Sequence, residues 1–286
     1  MQSNTINIPN MMQLAGITKE SRKKLALLIK NIKYSFTVNE AANILETNNK
    51  IASRILSRFV NNGWLLRLKQ GVYIILPIEV SDTQAIIEDS WIIADKLFSP
   101  CYIGGWSALE YWHLTEQIFN TTIVITTKKI RNLSQEIEGS KFQIKVSYSK
   151  NTLGLKPVWR GDIKVLVSDP TRSIIDILDE PKLAGGIRPV LDALRIYLAS
   201  EHKNIDLFIQ YASNAKNKTI NKRLGFLIEY LKAKEPKLIL WCKEHLSSGN
   251  SKLDSDLGAD RLIKKWHLWV PNDWKTEWKR IDKNDS

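Results

Sequence analysis

Polar and basic side chains between positions 49 and 58 have the chemistry needed to read the edges of nucleic-acid bases. Arginine forms paired hydrogen bonds with guanine, asparagine does so with adenine, and serine bonds less selectively. At helical spacing these side chains make one face, which consists of Asn49, Lys50, Ser53, Arg54, Ser57 and Arg58. We expect Asn49, Lys50, Ser53 and Arg54 to contact base edges, and Arg58 to contact phosphate.

The element that must position this face is an amphipathic helix. Asn48 or Thr47 is a suitable N-cap for a helix that reaches about Asn61. Apolar residues on its other side predict a buried face shared by Ile51, Ile55, Leu56, Phe59 and Val60.

Two further helices are predicted before it. Residues 18–32 carry apolar side chains at three- and four-residue spacing, with a basic outer side. Thr37 can cap a short helix that runs to about Leu45, and Glu40 can complete a capping box. A tight polar turn at 46–49 follows. A short helix, a turn and a longer helix with a polar face are typical of a helix-turn-helix, whose second helix enters the major groove.

A basic hairpin comes next. Residues 64–68 and 72–76 predict two strands joined by Lys69-Gln70-Gly71, which together resemble a wing. Arg67, Lys69 and the Thr37 hydroxyl are suited to phosphate contacts. Residues 1–80 hold 11 Lys and Arg against 4 Asp and Glu, more than half of the net charge of +12.

These features predict a winged helix-turn-helix domain at residues 1–80 that binds double-stranded DNA. A basic module suits a polyanion, and anionic lipid is the second candidate. A winged helix that docks protein is the other alternative. One such domain binds a single half-site weakly, so we expect a monomer in solution or a dimer on repeated half-sites.

The remaining residues, 81–286, predict a larger mixed α/β domain with a helical C-terminal region, which makes the fold class α+β. The pattern indicates sheet and helices to about 186 and mainly helix after that. A helix is predicted at 81–97, strands at 121–127, 142–148 and 163–167, and a helix capped by Asp169 from 170 to 178. Later helices are predicted at 189–199, 205–213, 219–232 and 237–245.

Several patterns in this region have the residue types of phosphate- or metal-binding sites, but their sequence context does not favour either. The pair Gly104-Gly105 precedes a helix that Ser107 and Glu110 can cap, but no Lys-Ser/Thr follows as a phosphate loop requires. Asp254-x-Asp256 has the spacing of metal-binding carboxylates, as does the set Asp169, Asp176 and Asp179, yet caps and solvated loops produce the same spacing. The four histidines show no metal-ligand spacing. We predict no catalysis, no metal and no cofactor.

Composition indicates a cytoplasmic protein. No apolar run approaches the roughly 20 residues that cross a bilayer, and the first residues lack the layout of a secretion signal. Cys101 and Cys242 are predicted to be reduced packing residues. The last forty residues carry Trp266, Trp269, Trp274 and Trp278, which we expect to pack the tail onto the second domain rather than stack on nucleobases.

Two segments resemble the AbiEi-family antitoxins of type IV toxin-antitoxin systems. Residues 102–128, which begin YIGGWSALEYW, are similar to the central signature of that family. Residues 167–187, VSDPTRSIIDILDEPKLAGGI, resemble its second block. The order of a winged helix followed by these blocks matches the family layout over most of the chain, and the tail after about 247 matches least. The signature positions are Gly104, Gly105, Ser107, Asp169, Arg172 and Asp176.

The resemblance implies a bifunctional protein of abortive-infection phage defence. Its first domain would repress its own promoter by binding inverted repeats. Its second domain would counteract a nucleotidyltransferase-type toxin without a stable complex. Two alternatives stay open: a winged-helix transcription factor whose second domain senses a ligand, and an enzyme that modifies nucleic acid.

Overall fold

The structure is a computed structural model that describes residues 18–32, 35–76, 89–137, 139–147, 152–161, 163–272 and 274. It is an α+β fold, in which an N-terminal three-helix region with a small sheet is followed by a larger α/β region. Among the helices of these ranges, none combines the length and apolar character needed to cross a membrane.

Three helices form the N-terminal region, and a side chain caps each of them, as the sequence predicts for the second and third. Helix α1 (Lys19–Asn31) is capped by Thr18. Helix α2 (Val38–Ile44) begins with the complete Thr37–Glu40 capping box. Asn48 caps α3 (Asn49–Asn61), whose Ile51 amide donates to the Asn48 side chain over 2.9 Å. Since a capped end satisfies amides that would otherwise be unpaired, the turn between α2 and α3 is fixed locally.

The wing is a hairpin in a three-stranded sheet. Strand β1 (Phe36–Thr37) pairs with β3 (Val72–Ile75), and β3 pairs with β2 (Leu65–Lys69). Residues on one face, such as Leu65 and Tyr73, complete the core of the three helices. Residues on the other face, such as Leu68 and Ile74, lie in a different core that belongs to the second region.

A six-stranded mixed sheet organises the second region. Its strands are β4 (Cys101–Ile103), β5 (Thr121–Thr126), β6 (Ser134–Ile137), β7 (Ser140–Val146), β8 (Leu155–Arg160) and β9 (Ile163–Ser168), in the order β6-β7-β5-β4-β9-β8. The parallel pairs are β5 with β7 and β4 with β9, and the other neighbours are antiparallel. The strands predicted near 121, 142 and 163 are confirmed, whereas β6 and β8 were not predicted.

Alternating side chains of this sheet lie in two different hydrophobic cores, one on each face. In β5, Ile123 and Ile125 face a helical layer, and Val124 faces the opposite side. That opposite side is covered by α4 (Ser90–Phe98) and by the wing. The helix predicted at 81–97 corresponds to α4. Residues 81–88 of that prediction lie outside the described ranges.

The helical layer contains the helices of the two signature blocks and those that follow them. These are α5 (Gly105–Tyr111), α6 (Pro170–Asp179), a 3-10 turn (Pro181–Ala184), α7 (Ile187–Ala199), α8 (Ile205–Asn214), α9 (Thr219–Tyr230) and α10 (Pro236–Glu244). Asp169 caps α6 with Pro170 in its first turn, as predicted. The predicted Ser107–Glu110 cap is wrong: α5 begins at Gly105, and its N-cap Gly104 makes no side-chain bond.

Residues 247–272 of the tail hold short strands and a 3-10 turn (Lys264–Trp266), whereas the last of the predicted helices of this region ends at Glu244. Strands β10 (Ser251–Lys252), β11 (Arg261–Ile263) and β12 (Leu268–Val270) form a small sheet in the order β10-β12-β11. Trp266 and Trp274 are buried in the large core, which confirms that these two pack the tail onto the second region. Trp278 lies outside the described residues.

Candidate nucleic-acid interface and signature cluster

The polar face of α3 is presented to solvent. Asn49, Lys50, Arg54, Ser57 and Arg58 are exposed, and Ser53 is half-buried. Ala52, Ile55, Leu56 and Phe59 fill the core on the other side, each at most 7% exposed. Across the part of the chain that the structure describes, no ion pair neutralises Lys50 or Arg54. The helix therefore presents hydrogen-bond donors and positive charge on one side. These groups suit the base edges of a major groove and the phosphates that flank it.

Ile51 departs from the sequence prediction. Its side chain is 45% exposed, although it was assigned to the buried face. The reason is geometric: Ile51 is the third residue of α3, and the core contacts of this helix begin with Ala52. The sequence alone gives no sign of this, because Ile51 and Ile55 have the four-residue spacing of a buried stripe.

The predicted phosphate contacts do not all have the same surroundings. Thr37 and Arg67 are exposed on β1 and β2. Lys69 is exposed at the wing tip, where its Nζ donates to Oε1 of Gln135 in β6 over 3.3 Å. The wing tip thus lies beside the central sheet, and Lys69 has a neutral partner that a phosphate oxygen can replace.

The glycine pair at the start of α5 is required by packing. Gly105 has φ +53°, and a Cβ there would lie 2.4 Å from the carbonyl oxygen of Leu183. Ser107 Oγ accepts a hydrogen bond of 2.9 Å from the Ile123 amide and so ties α5 to β5. These signature positions support a tight strand-to-helix junction between β4 and α5.

The other signature positions form a buried polar network on α6. Asp169 accepts hydrogen bonds from the Arg172 amide and from the Tyr211 hydroxyl, at 2.7 and 2.8 Å. Arg172 Nε donates to Asp176 Oδ1 over 2.8 Å, and Arg172 Nη2 donates to the Tyr102 hydroxyl over 3.2 Å. The Tyr102 hydroxyl donates in turn to Asp176.

Burial dominates the electrostatics of this network. It raises the pKa of the Asp176 carboxyl, although the Arg172 guanidinium acts in the opposite direction. Burial alone would lower the pKa of Arg172, but Asp176 and Tyr102 together outweigh it and raise that pKa. Arg172 therefore stays charged beside Asp176. Tyr102 and Tyr211 are the members that the sequence did not single out, because each lies at least forty residues from its carboxylate partner.

A cavity of about 210 Å³ opens beside the network. Its charged lining groups are largely paired: Lys145 contacts Asp179 at 2.6 Å and Glu180 at 3.2 Å, and Asn217 donates to Asp179. Its polar lining residues include Tyr102, Lys145, Arg172, Asp176, Asp179 and Asn217. It has room for a small polar molecule.

The carboxylates at 254 and 256 separate in the structure. Asp254 is buried and accepts from the Ile187 amide over 2.8 Å, which caps α7. Asp256 is exposed and pairs with Lys182 at 2.9 Å. Within the described ranges no group of three or more His, Cys, Asp or Glu side chains can hold a metal ion.

Comparisons with known proteins assign no family. No family model matches the chain, and no curated protein does. Among solved structures, the crystal structure of the RV2827C protein from Mycobacterium tuberculosis aligns with a TM-score of 0.48 and 14% identity, covering 91% of this chain and 94% of that one. A likeness of this degree supports no functional argument.

Both cysteines should resist thiol reagents in the native protein. They form no disulfide, and burial raises the pKa of each thiol to about 12. At pH 8 only about one thiol in ten thousand is then the reactive thiolate. We expect slow modification by iodoacetamide without denaturant and rapid modification of both cysteines in urea, measured by mass spectrometry. Fast, complete modification of the native chain would contradict this assignment.

Proposed function

We propose that this chain is a sequence-specific DNA-binding repressor that acts through its winged helix-turn-helix. The observation that carries the proposal is the exposed polar face of α3, whose Lys50 and Arg54 have no carboxylate partner within the described structure. An exposed basic face on a helix fixed by the Asn48 cap suits insertion into a major groove. The wing adds the exposed cations Arg67 and Lys69.

A titration of the full chain on its own upstream promoter tests this proposal. Labelled promoter DNA and a scrambled duplex of the same composition are compared by gel shift at two salt concentrations, and the bound site is mapped by nuclease footprinting. We expect protection of inverted repeats and affinity that falls steeply with salt. Equal affinity for both duplexes, or no binding, would reject the proposal. The full chain is needed because residues 1–80 alone would expose Leu68 and Ile74 of the wing.

The Lys69→Ala variant tests whether the wing contacts DNA phosphate. Because a phosphate contact is independent of sequence, the variant should weaken specific and scrambled duplexes alike and lower the salt slope by about one unit. Gln135→Ala is the matched control, since it removes the neutral partner of Lys69 and leaves the cation in place. A salt slope in Lys69→Ala equal to that of the wild type would place the wing tip away from the DNA.

We further propose that the second domain has the antitoxin role that the AbiEi resemblance implies. The signature residues Asp169, Arg172 and Asp176 support this in one respect: they converge with Tyr102 at a single cluster, and two of them line a cavity. The partner would be a nucleotidyltransferase-type toxin encoded in the same operon, counteracted without a stable complex.

Growth rescue tests the second role separately from the first. The toxin gene is induced in cells that express this chain from an unrelated promoter, and colony formation is counted. Wild type and Arg54→Ala should both restore growth, because Arg54 lies outside the second domain. Failure of both, with normal protein levels on immunoblots, would reject the antitoxin role and leave the DNA-binding proposal intact.

A further inference from the structure

Ile51 is an apolar side chain on the surface of the helix that we propose enters DNA. It is 45% exposed, and the core beneath α3 is complete without it. Its position is in the first turn of α3, and residues near the start of a recognition helix are the ones that reach base edges. Its amide is held by the Asn48 cap, which fixes the orientation of this turn.

The helical repeat places Ile51 beside the arginines of the polar face. At 3.6 residues per turn, residues three apart are surface neighbours, so Ile51 adjoins Arg54. Seven residues are close to two turns, so Ile51 also lies in line with Arg58. All three side chains are exposed. An apolar group therefore lies at the edge of a surface that is otherwise polar.

The chemistry of the major groove offers such a group one apolar partner. Guanine, cytosine and adenine present only donors and acceptors there, whereas thymine also presents its C5-methyl group. Isoleucine cannot satisfy a donor or acceptor, and covering one would cost the hydrogen bonds of that group to water. Burying a methyl group against the Ile51 side chain has no such cost.

We infer that Ile51 recognises the C5-methyl group of a thymine adjacent to the base that Arg54 contacts. This inference rests on the proposed DNA-binding function and adds a specificity element to it. The operator half-site then contains a thymine whose methyl group, and not its hydrogen-bonding edge, is read.

Deoxyuridine substitution isolates that methyl group. Each thymine of the footprinted half-site is replaced in turn by deoxyuridine, and the affinity of the full chain is measured by fluorescence anisotropy. For the wild type we expect one position at which affinity falls about 4-fold, as for the loss of one buried methyl group. Ile51→Ala should bind the natural operator more weakly and show no further loss at that position. The matched control Ile29→Ala, which truncates an isoleucine 50% exposed on α1, should keep the full deoxyuridine effect.

The outcomes distinguish this inference from the proposed function. Specific operator binding with no deoxyuridine effect at any thymine overturns the role of Ile51 alone. An unchanged deoxyuridine effect in Ile51→Ala, with the variant folded by circular dichroism, overturns it as well. Absence of any sequence-specific binding overturns both proposals together.

Discussion

Replacing Arg172 with alanine should destabilise the protein by about 3–5 kcal/mol, the range for removing one partner of a buried ion pair. The side chains of Arg172 and Asp176 are only 13% and 9% exposed, and their atoms meet at 2.8 Å. Without the guanidinium, Asp176 keeps the Tyr102 hydroxyl as a hydrogen-bond donor but loses its facing charge. Urea unfolding followed by tryptophan fluorescence measures the free energy of unfolding.

The Arg172→Ala deficit should depend on pH in a defined direction. Burial already raises the pKa of Asp176, and losing Arg172 raises it further. The folded variant then binds a proton more readily than the unfolded chain, so its stability falls as pH rises above about 4, the ordinary aspartate value. The deficit relative to wild type should therefore be larger at neutral pH than near pH 4.

Two variants keep this prediction falsifiable. Arg195→Ala removes an exposed ion pair of similar sequence spacing on α7, with Asp192 at 3.3 Å, and should cost less than about 0.5 kcal/mol. The double variant Arg172→Met/Asp176→Leu removes both charges and should be more stable than Arg172→Ala. A single variant as stable as wild type would show that the pair contributes nothing to folding.

Arg54→Ala should reduce operator affinity by about 1–3 kcal/mol, which is roughly 5- to 150-fold, if the guanidinium bonds to one guanine. Arg54 is exposed at the centre of the polar face, and no described carboxylate competes for it. The loss should come with relaxed base preference at one operator position. Competition binding with operators altered at each base pair measures both quantities.

Arg261→Ala is the control for a general loss of positive charge. It is the same residue type and is also exposed, but it lies in the small sheet of the tail. It should leave base preference unchanged. Equal losses in both variants would mean that charge alone binds the DNA and that α3 reads no sequence.

The N-terminal region was predictable because its signals are local. The Thr37–Glu40 capping box and the Asn48 cap each act within one helical turn. The sequence around these residues therefore indicates directly where α2 and α3 begin. Asp169 before Pro170 did the same for α6. The error at Ile51 arose because spacing shows which side of a helix is apolar and not where the core beneath it ends.

The remaining errors concern features that depend on distant residues. Strand β8 includes Pro157, which an edge strand tolerates but which weakens any strand prediction. Ser107 resembled a cap, yet the left-handed conformation of Gly105 starts the helix earlier. Tyr102 joins Arg172 and Asp176 only through the fold. One overlooked signal was present: the wing strands are apolar on both faces, which is typical of a sheet covered on both sides.

Because the wing is covered on both faces, it couples the three-helix region to the six-stranded sheet. Leu68 and Ile74 are buried with residues of α4, and the Ser35 amide bonds to the Lys96 carbonyl at the same junction. A ligand or protein that shifts α4 must also shift the wing. By thermodynamic reciprocity, such a ligand would change the affinity of the chain for operator DNA by some factor. Bound operator DNA would change the affinity of the chain for that ligand by the same factor.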